Sequence, residues 1–189
     1  MDEIVKAAMA KWPNVPDCYG WLGLDARGDW FMRDDRCQRS GPFRVGPGEA
    51  GVAAKGSRLL HEALIAFIGR NYLPDGQGQW FFQNGPQRVY VELEAAPWVW
   101  RLQPDGRVLS HTGASTGAVR RCLLDEAGRL YLETDLGLGL VHTADMALAA
   151  DRVDKGEWVP EDVDSDQLPD RWHFVRSPQQ ALANKKAGQ

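Results

Sequence analysis

The chain has 189 residues, 43% of them apolar and 25% charged, which is the balance of one packed domain or two small ones and excludes a disordered tail or a fibre. Lys and Arg total 22 against 26 Asp and Glu, a formal net charge of −4. That argues against a dedicated nucleic-acid binder, which carries a basic face.

No segment reads as membrane-spanning, since a span needs about 20 apolar residues. The longest helical apolar stretch, Leu59 to Ile68, is broken by His61 and Glu62. The start, Met1-Asp2-Glu3, is acidic and no apolar signal core follows. Cys18, Cys37 and Cys122 are odd in number, widely spaced and form no CxxC. The expectation is a cytoplasmic protein with reduced cysteines, no membrane or nucleic-acid partner, no metal and no cofactor.

A first helix is expected from an Asp2 cap to about Trp12, with Ile4, Val5, Ala8, Met9 and Trp12 on one face and Pro13 ending it. A second opens at a Ser57 N-cap, with Leu59, Leu60, Ala63, Leu64, Phe67 and Ile68 as its core stripe. Short strands follow. Gln87 to Leu93 alternates, and Trp98 to Leu102 turns through Pro104-Asp105-Gly106 into Arg107 to His111. Arg121 to Leu124 turns through Asp125-Glu126-Ala127-Gly128 into Arg129 to Thr134. In Leu136 to Val141, Gly alternates with Leu, so a backbone or a ligand can approach closely. Asp145 to Val153 reads as a short helix and Glu161 to Asp170 as an acidic loop. A last helix is capped by Ser177 with Pro178 in its first turn, and it frays toward Gln189.

Asp25-Ala26-Arg27-Gly28, Asp75-Gly76-Gln77-Gly78 and Asp125-Glu126-Ala127-Gly128 each open a run of large apolar residues, 50 residues apart. Asp bonds the backbone two residues on and Gly takes the left-handed conformation, so each copy reads as a tight turn entering a strand buried on both faces. The fold expected is α+β: mostly antiparallel short strands, about three packed helices and a candidate repeat of this turn-strand unit, near 18–50, 57–111 and 119–160. Residues 1–176 form one domain and 177–189 a C-terminal helix and tail.

The whole chain resembles a proteobacterial family of similar length, defined as a domain of unknown function. Its centre, through Trp80-Phe81-Phe82, Arg88-Val89-Tyr90-Val91 and Ala96-Pro97-Trp98 after the Leu59–Ile68 helix, is more distantly similar to a second bacterial family of that kind. The resemblance implies an α+β fold of repeated units with a ligand-sensing or signalling role, and it transfers no catalytic residue.

Several motifs fail on their context. Gly46 to Gly51 fits GxGxxG without a buried strand before it or a helix directly after it. No histidine pattern forms a metal clip. Asp162-x-Asp164-x-Asp166 lacks the glycine and the closing glutamate of a calcium loop. Two tentative anion sites survive. Lys55 and Ser57 stand at the expected helix start, whose free amides suit an anion. The loop from His111 offers Thr112, Ser115 and Thr116 hydroxyls, with Arg120 and Arg121 on the strand beyond. The leading reading is a non-catalytic small-ligand-binding or regulatory protein. The alternatives are an enzyme with dispersed catalytic residues acting on a small anionic substrate, and an interaction scaffold that dimerises through an aromatic patch. The tryptophans read mostly as core, but Trp98 and Trp100 share one strand face, so one of them is a candidate for a pocket wall or a dimer surface.

Overall fold

The computed structural model describes residues 1–46 and 51–188. They group into two compact units. The first holds Met1–Asp25, Asp29–Glu94 and Val175–Gln189, and the second Ala26–Gly28 and Ala95–Phe174.

In the first unit, β1 (Cys18–Leu24), β2 (Trp30–Met32), β3 (Ser57–Arg58), β4 (Tyr72–Pro74), β5 (Trp80–Asn84) and β6 (Gln87–Leu93) lie in the order β3-β2-β1-β6-β5-β4. β1 and β6 are parallel and the other neighbours antiparallel. In the second unit, β7 (Trp98–Leu102), β8 (Val108–Ser110), β9 (Arg121–Asp125), β10 (Leu130–Thr134), β11 (Gly137–Val141) and β12 (Pro160–Val163) lie in the order β12-β9-β10-β11-β7-β8. Here β7/β11 and β9/β12 are the parallel pairs. The fold is α+β, as expected.

Each sheet contains one hairpin and one three-stranded meander, joined by a parallel pair between the hairpin's first strand and the meander's last. The hairpins are β1-β2 and β7-β8; the meanders are β4-β5-β6 and β9-β10-β11. The Asp75 and Asp125 turns both open the second strand of a meander, whereas the Asp25 turn lies inside a hairpin. Its counterpart in the second sheet is Gln103–Gly106. The expected repeat unit 57–111 therefore straddles both sheets, because a register based on turns alone pairs a hairpin turn with meander turns.

The turns themselves agree closely. Asp25 N–H donates to Asp29 O, Asp75 N–H to Gln79 O, Gln103 N–H to Arg107 O and Asp125 N–H to Arg129 O, at 2.8–3.0 Å. Gly28, Gly78, Gly106 and Gly128 have φ from +74° to +90°, the left-handed region that a Cβ disfavours. In the meander turns the Asp side chain also takes two backbone N–H groups: Gln77 and Gln79 on Asp75, Ala127 and Arg129 on Asp125, at 2.8–3.0 Å. β5 and β10 are each buried on both faces, as the apolar runs require.

Six α-helices are present among the described residues, against about three packed helices expected; the two shortest, Asp35–Ser40 and Leu168–Arg171, have no counterpart in the sequence reading. α1 (Glu3–Lys11) turns Val5, Ala8 and Met9 inward, while Ile4 and Trp12 are 75% and 52% exposed. Trp12 would share that stripe, but as the C-cap residue it leaves the helical conformation. Asp2 makes no side-chain cap and instead meets Arg70 at 3.2 Å. α2 (Asp35–Ser40) is a single short turn capped by Asp34, which accepts from Cys37 N–H at 2.7 Å.

α3 (Glu62–Arg70) starts five residues after the expected cap. Ser57 and Arg58 pair with Met32 and Phe31 as β3, and His61 Nδ1 caps the helix by accepting from Leu64 N–H. Strand pairing over a long sequence separation wins over a good local cap. α4 (Met146–Asp154) matches the expected short helix. The acidic stretch is ordered as β12, a one-turn 3-10 segment at Ser165–Gln167 and α5 (Leu168–Arg171). α6 (Pro178–Ala187) is capped by Ser177 as read from the sequence.

Candidate functional site

The His111–Gly117 loop is an edge cover before it is anything else. Ser110 N–H donates to Ala114 O, Ser115 bridges Leu109, and Thr116 N–H donates to Val108 O, so the loop folds back on the exposed edge of β8. The Thr112 and Thr116 hydroxyls are used internally. Thr112 Oγ1 and Ser110 Oγ lie 2.8 Å apart, and Thr116 Oγ1 donates to Gly117 O. Gly117 N–H donates to the Asp135 carboxylate at 2.7 Å, so this backbone donor is already taken. His111 Nδ1 accepts from Val99 N–H at 3.3 Å and the ring packs on Trp98. Burial pushes the imidazole down to about 3, so it stays neutral at physiological pH and offers no charge.

The remaining predicted residues do not converge on this loop. Arg121 makes a two-pronged bond to Glu161, at 2.6 and 3.2 Å, and lies over the Trp172 ring. Arg120 is exposed, and its backbone N–H bonds Glu133 O. Lys55 and Ser57 belong to the first unit. Lys55 pairs with Glu94 at 2.8 Å and Asp25 at 3.8 Å, and Ser57 lies in β3 rather than at a helix start. The anion site expected at a Ser57-capped helix is therefore absent, because the helix opens at His61. Most of the Gly46–Gly51 motif, residues 47–50, lies outside the described residues.

Trp98 and Trp100 are both interior residues, in keeping with the core reading of the tryptophans, and neither offers an exposed aromatic surface. Their indoles stack 6.0 Å apart, with Nε1 donating to Leu136 O and Leu132 O. The close approach that the alternating glycines allow is made at Gly139 by the Trp100 ring and the Trp98 Cβ.

A groove of about 560 Å³ does exist in the second unit, formed by three segments: Asp105–Val108, Thr116–Val119 and the end of α4 with the turn after it. Thr116 is the one predicted residue among its lining. Arg107, Arg152 and Trp158 supply the rest of its chemistry, and a smaller hollow of about 150 Å³ beside it shares these three. The Gln103–Gly106 turn aims Arg107 here, and Gly106 lies against the Arg152 guanidinium. Trp158 is held where Glu157 and Trp158 N–H groups return to Arg152 O at 3.0 and 3.4 Å.

Both guanidiniums rest on local carboxylates, Arg107 on Asp105 at 2.8 Å and Arg152 on Glu157. Surface ion pairs of this kind are worth about 0–1 kcal/mol, so an incoming anion can exchange for the carboxylate at little cost. The Trp158 indole adds a flat apolar wall. Asp105 is held below the ordinary carboxylate range by the Arg107 backbone N–H and guanidinium, the wrong direction for a general acid or base near neutral pH. Among the described residues no cluster of His, Cys, Asp or Glu has metal-binding geometry, and the three cysteines are free thiols. No helix is long and apolar enough to cross a membrane among the described residues.

The fold and groove define an α+β protein with a polar, arginine-lined surface cleft. The chain belongs to the DUF2944 family, described as "Protein of unknown function (DUF2946)", which matches residues 1–185. The whole-chain resemblance read from the sequence therefore holds. Among solved structures, the chain is similar to a DUF1285 family protein from Silicibacter pomeroyi DSS-3, at 14% identity and TM-score 0.47, over 80% of this chain and 84% of that one. It is also similar to a DUF1285 family protein from Shewanella baltica OS155, at 17% identity and TM-score 0.43, over 69% of this chain and 91% of that one. No curated protein matches.

Proposed function

We propose that this chain is a non-catalytic small-ligand-binding protein with a regulatory role, and that the Arg107/Arg152/Trp158 groove takes a small anionic or polar molecule. The observation that carries this reading is the convergence of two guanidiniums and an indole on one cleft beside Thr116 and Gly117. A ligand anion displaces Asp105 or Glu157 from its arginine, and its apolar part lies on Trp158. The free thiols suit a reducing, cytoplasmic compartment. The shared hairpin-and-meander order of the two sheets supports an internal repeat of five strands, 18–93 and 98–141, in place of a 50-residue period.

Titration calorimetry with phosphate, sulfate and small carboxylates tests the groove. One charge-assisted hydrogen bond is worth about 1.5–3 kcal/mol, so Arg152→Gln is expected to weaken binding about tenfold or more. Ser115→Ala and Arg121→Gln, which alter residues outside the lining, leave it unchanged. Binding that ignores Arg152→Gln and Trp158→Ala but responds to Arg121→Gln would overturn the assignment.

A further inference from the structure

α6 is held to the first unit at one end only. It packs on β1 and β6, yet Pro178 is its one buried residue, Gln179 and Leu182 are half-buried, and the rest is exposed. Leu182 is its one large aliphatic side chain, so it lacks the apolar stripe that fixes a surface helix to a core. Its hold is polar and sits at the first turn. Glu92, buried on β6, accepts from Ser177 Oγ at 2.5 Å and from Gln179 N–H at 3.0 Å, and Gln179 Nε2 donates to Gln38 Oε1 at 2.8 Å. Among the described residues, the side chains from Gln180 to Ala187 make no hydrogen bond or ion pair to the rest of the chain.

The chain just before the helix is fixed in another way. Val175 N–H donates to Gly78 O at 2.9 Å, and Leu93 N–H donates to Arg176 O at 2.7 Å. These main-chain bonds tie residues 175–176 to the Asp75 turn and to β6. Two hollows then lie along α6, of about 270 and 160 Å³. Gln180, Ala181 and Asn184 line the first from the helix, and Ala181, Leu182 and Lys185 line the second. At 100° per residue these are neighbouring sides of one helix, with Ala181 common to both. Val175 also borders both hollows. The sheet side is apolar: Phe43 and Leu93 in the first, and Tyr19, stacked on Tyr90 at 4.4 Å, in the second. Space beside a helix with one large aliphatic residue means that few dispersion contacts resist its departure.

We propose that α6 is a hinged strap. It swings as a unit about residues 176–177, with the two main-chain bonds as its fixed root and Glu92 and Gln38 as its latch. Opening joins the two hollows into one trough floored by Tyr19, Phe43 and Leu93, and closure shields that floor from solvent. A latch of three hydrogen bonds makes opening a local event that leaves the sheet folded. The device belongs to the first unit and is separate from the groove of the second.

The test is hydrogen exchange of the full chain, read residue by residue by NMR at several low urea concentrations. α6 amides are expected to exchange about a hundredfold or more faster than β6 amides, with a shallower urea dependence because a local opening exposes little surface. Ser177→Ala removes one latch bond and is expected to speed the amides of Ala181 to Ala187 by one common factor, about tenfold. Simple fraying from the free end gives a different pattern, in which the last turn ignores Ser177→Ala. Nile red, a neutral apolar dye, is expected to brighten more with Ser177→Ala than with the parent, and Asp125→Ala, a change in the other unit, gives no such rise. The proposal is overturned if α6 exchanges with the rate and urea dependence of β6, if the last turn ignores Ser177→Ala, or if the dye fails to separate Ser177→Ala from Asp125→Ala.

Discussion

The Trp100 indole lies directly against Gly139, across the parallel pair of β7 and β11. A Cβ at 139 would stand 2.5 Å from Cε2 and Nε1 of that ring and 2.7 Å from Trp98 Cβ. Neither indole can retreat freely, because each Nε1 is tied to a backbone carbonyl, Leu136 O at 2.8 Å and Leu132 O at 2.9 Å. Gly139→Ala is therefore an overpacking change in a filled core and is expected to cost about 1–3 kcal/mol in urea unfolding. Gly76→Ala, at a position with nothing within 4 Å, should stay within about 0.5 kcal/mol. Equal effects at the two sites would contradict the packing described.

Asp125 and Asp105 are both turn aspartates, yet they predict opposite outcomes. Asp125 is buried and accepts from Ala127 N–H, Arg129 N–H, Arg129 Nε and the Tyr131 hydroxyl, at 2.7–3.2 Å. Asp125→Ala removes all four bonds and leaves the buried Tyr131 hydroxyl without this acceptor, and it is expected to cost about 1–3 kcal/mol. Asp105 is exposed and bonds Arg107 alone, so Asp105→Ala should change stability by less than about 0.5 kcal/mol. Denaturation midpoints of the two variants decide the matter.

His111 gives the fold an acid-sensitive term. Burial pushes its folded value down to about 3, against about 6.5 in the unfolded chain. Between these values the unfolded state binds the extra proton, so stability falls as pH drops below about 6.5, by at most about 1.4 kcal/mol per pH unit from this group. Glu92 acts in the other direction, since burial raises its folded value, and stability from that group falls as pH rises above about 4.5. The comparison is therefore between the parent and His111→Gln at pH 7.5 and 5.5. The parent is expected to lose more stability than the variant over that interval, and parallel losses would remove His111 from the account.

What could be read from the sequence was what short-range chemistry determines. The Asp75 and Asp125 turns, the strands they open, α4, α6 and the Ser177 cap all depend on residues within a few positions of one another. Ser57 misled because its partner, Met32, is 25 residues away. α2 has no apolar periodicity, although Asp34 with Cys37 N–H is an ordinary cap that a closer look at Arg33-Asp34-Asp35-Arg36 could have found. The burial of Arg33 has no local sequence signal, because the three carbonyls that surround it, Gly20 O, Gly41 O and Ala54 O, come from other segments. The groove was only touched, at Thr116. Arg107, Arg152 and Trp158 come from separate segments, and their convergence depends on the path of α4 back toward the β7-β8 turn.

Glu92 carries the last expectation. Glu92→Gln keeps one acceptor for Ser177 Oγ but turns an NH₂ group toward Gln179 N–H, donor against donor. A buried donor left facing another donor costs about 1–3 kcal/mol. Part of that loss can be relieved by releasing α6, whose hold on the sheet depends on the same carboxylate. Hydrogen exchange by mass spectrometry should therefore show α6 amides exchanging faster in Glu92→Gln than in the parent, while β10 and β11 in the second unit keep their order of protection. Ser177→Ala removes one of the two bonds and is expected to give a smaller change in the same direction. If α6 exchange is unaltered in both variants, the helix is held by something other than Glu92, and the polar anchor is not what positions it.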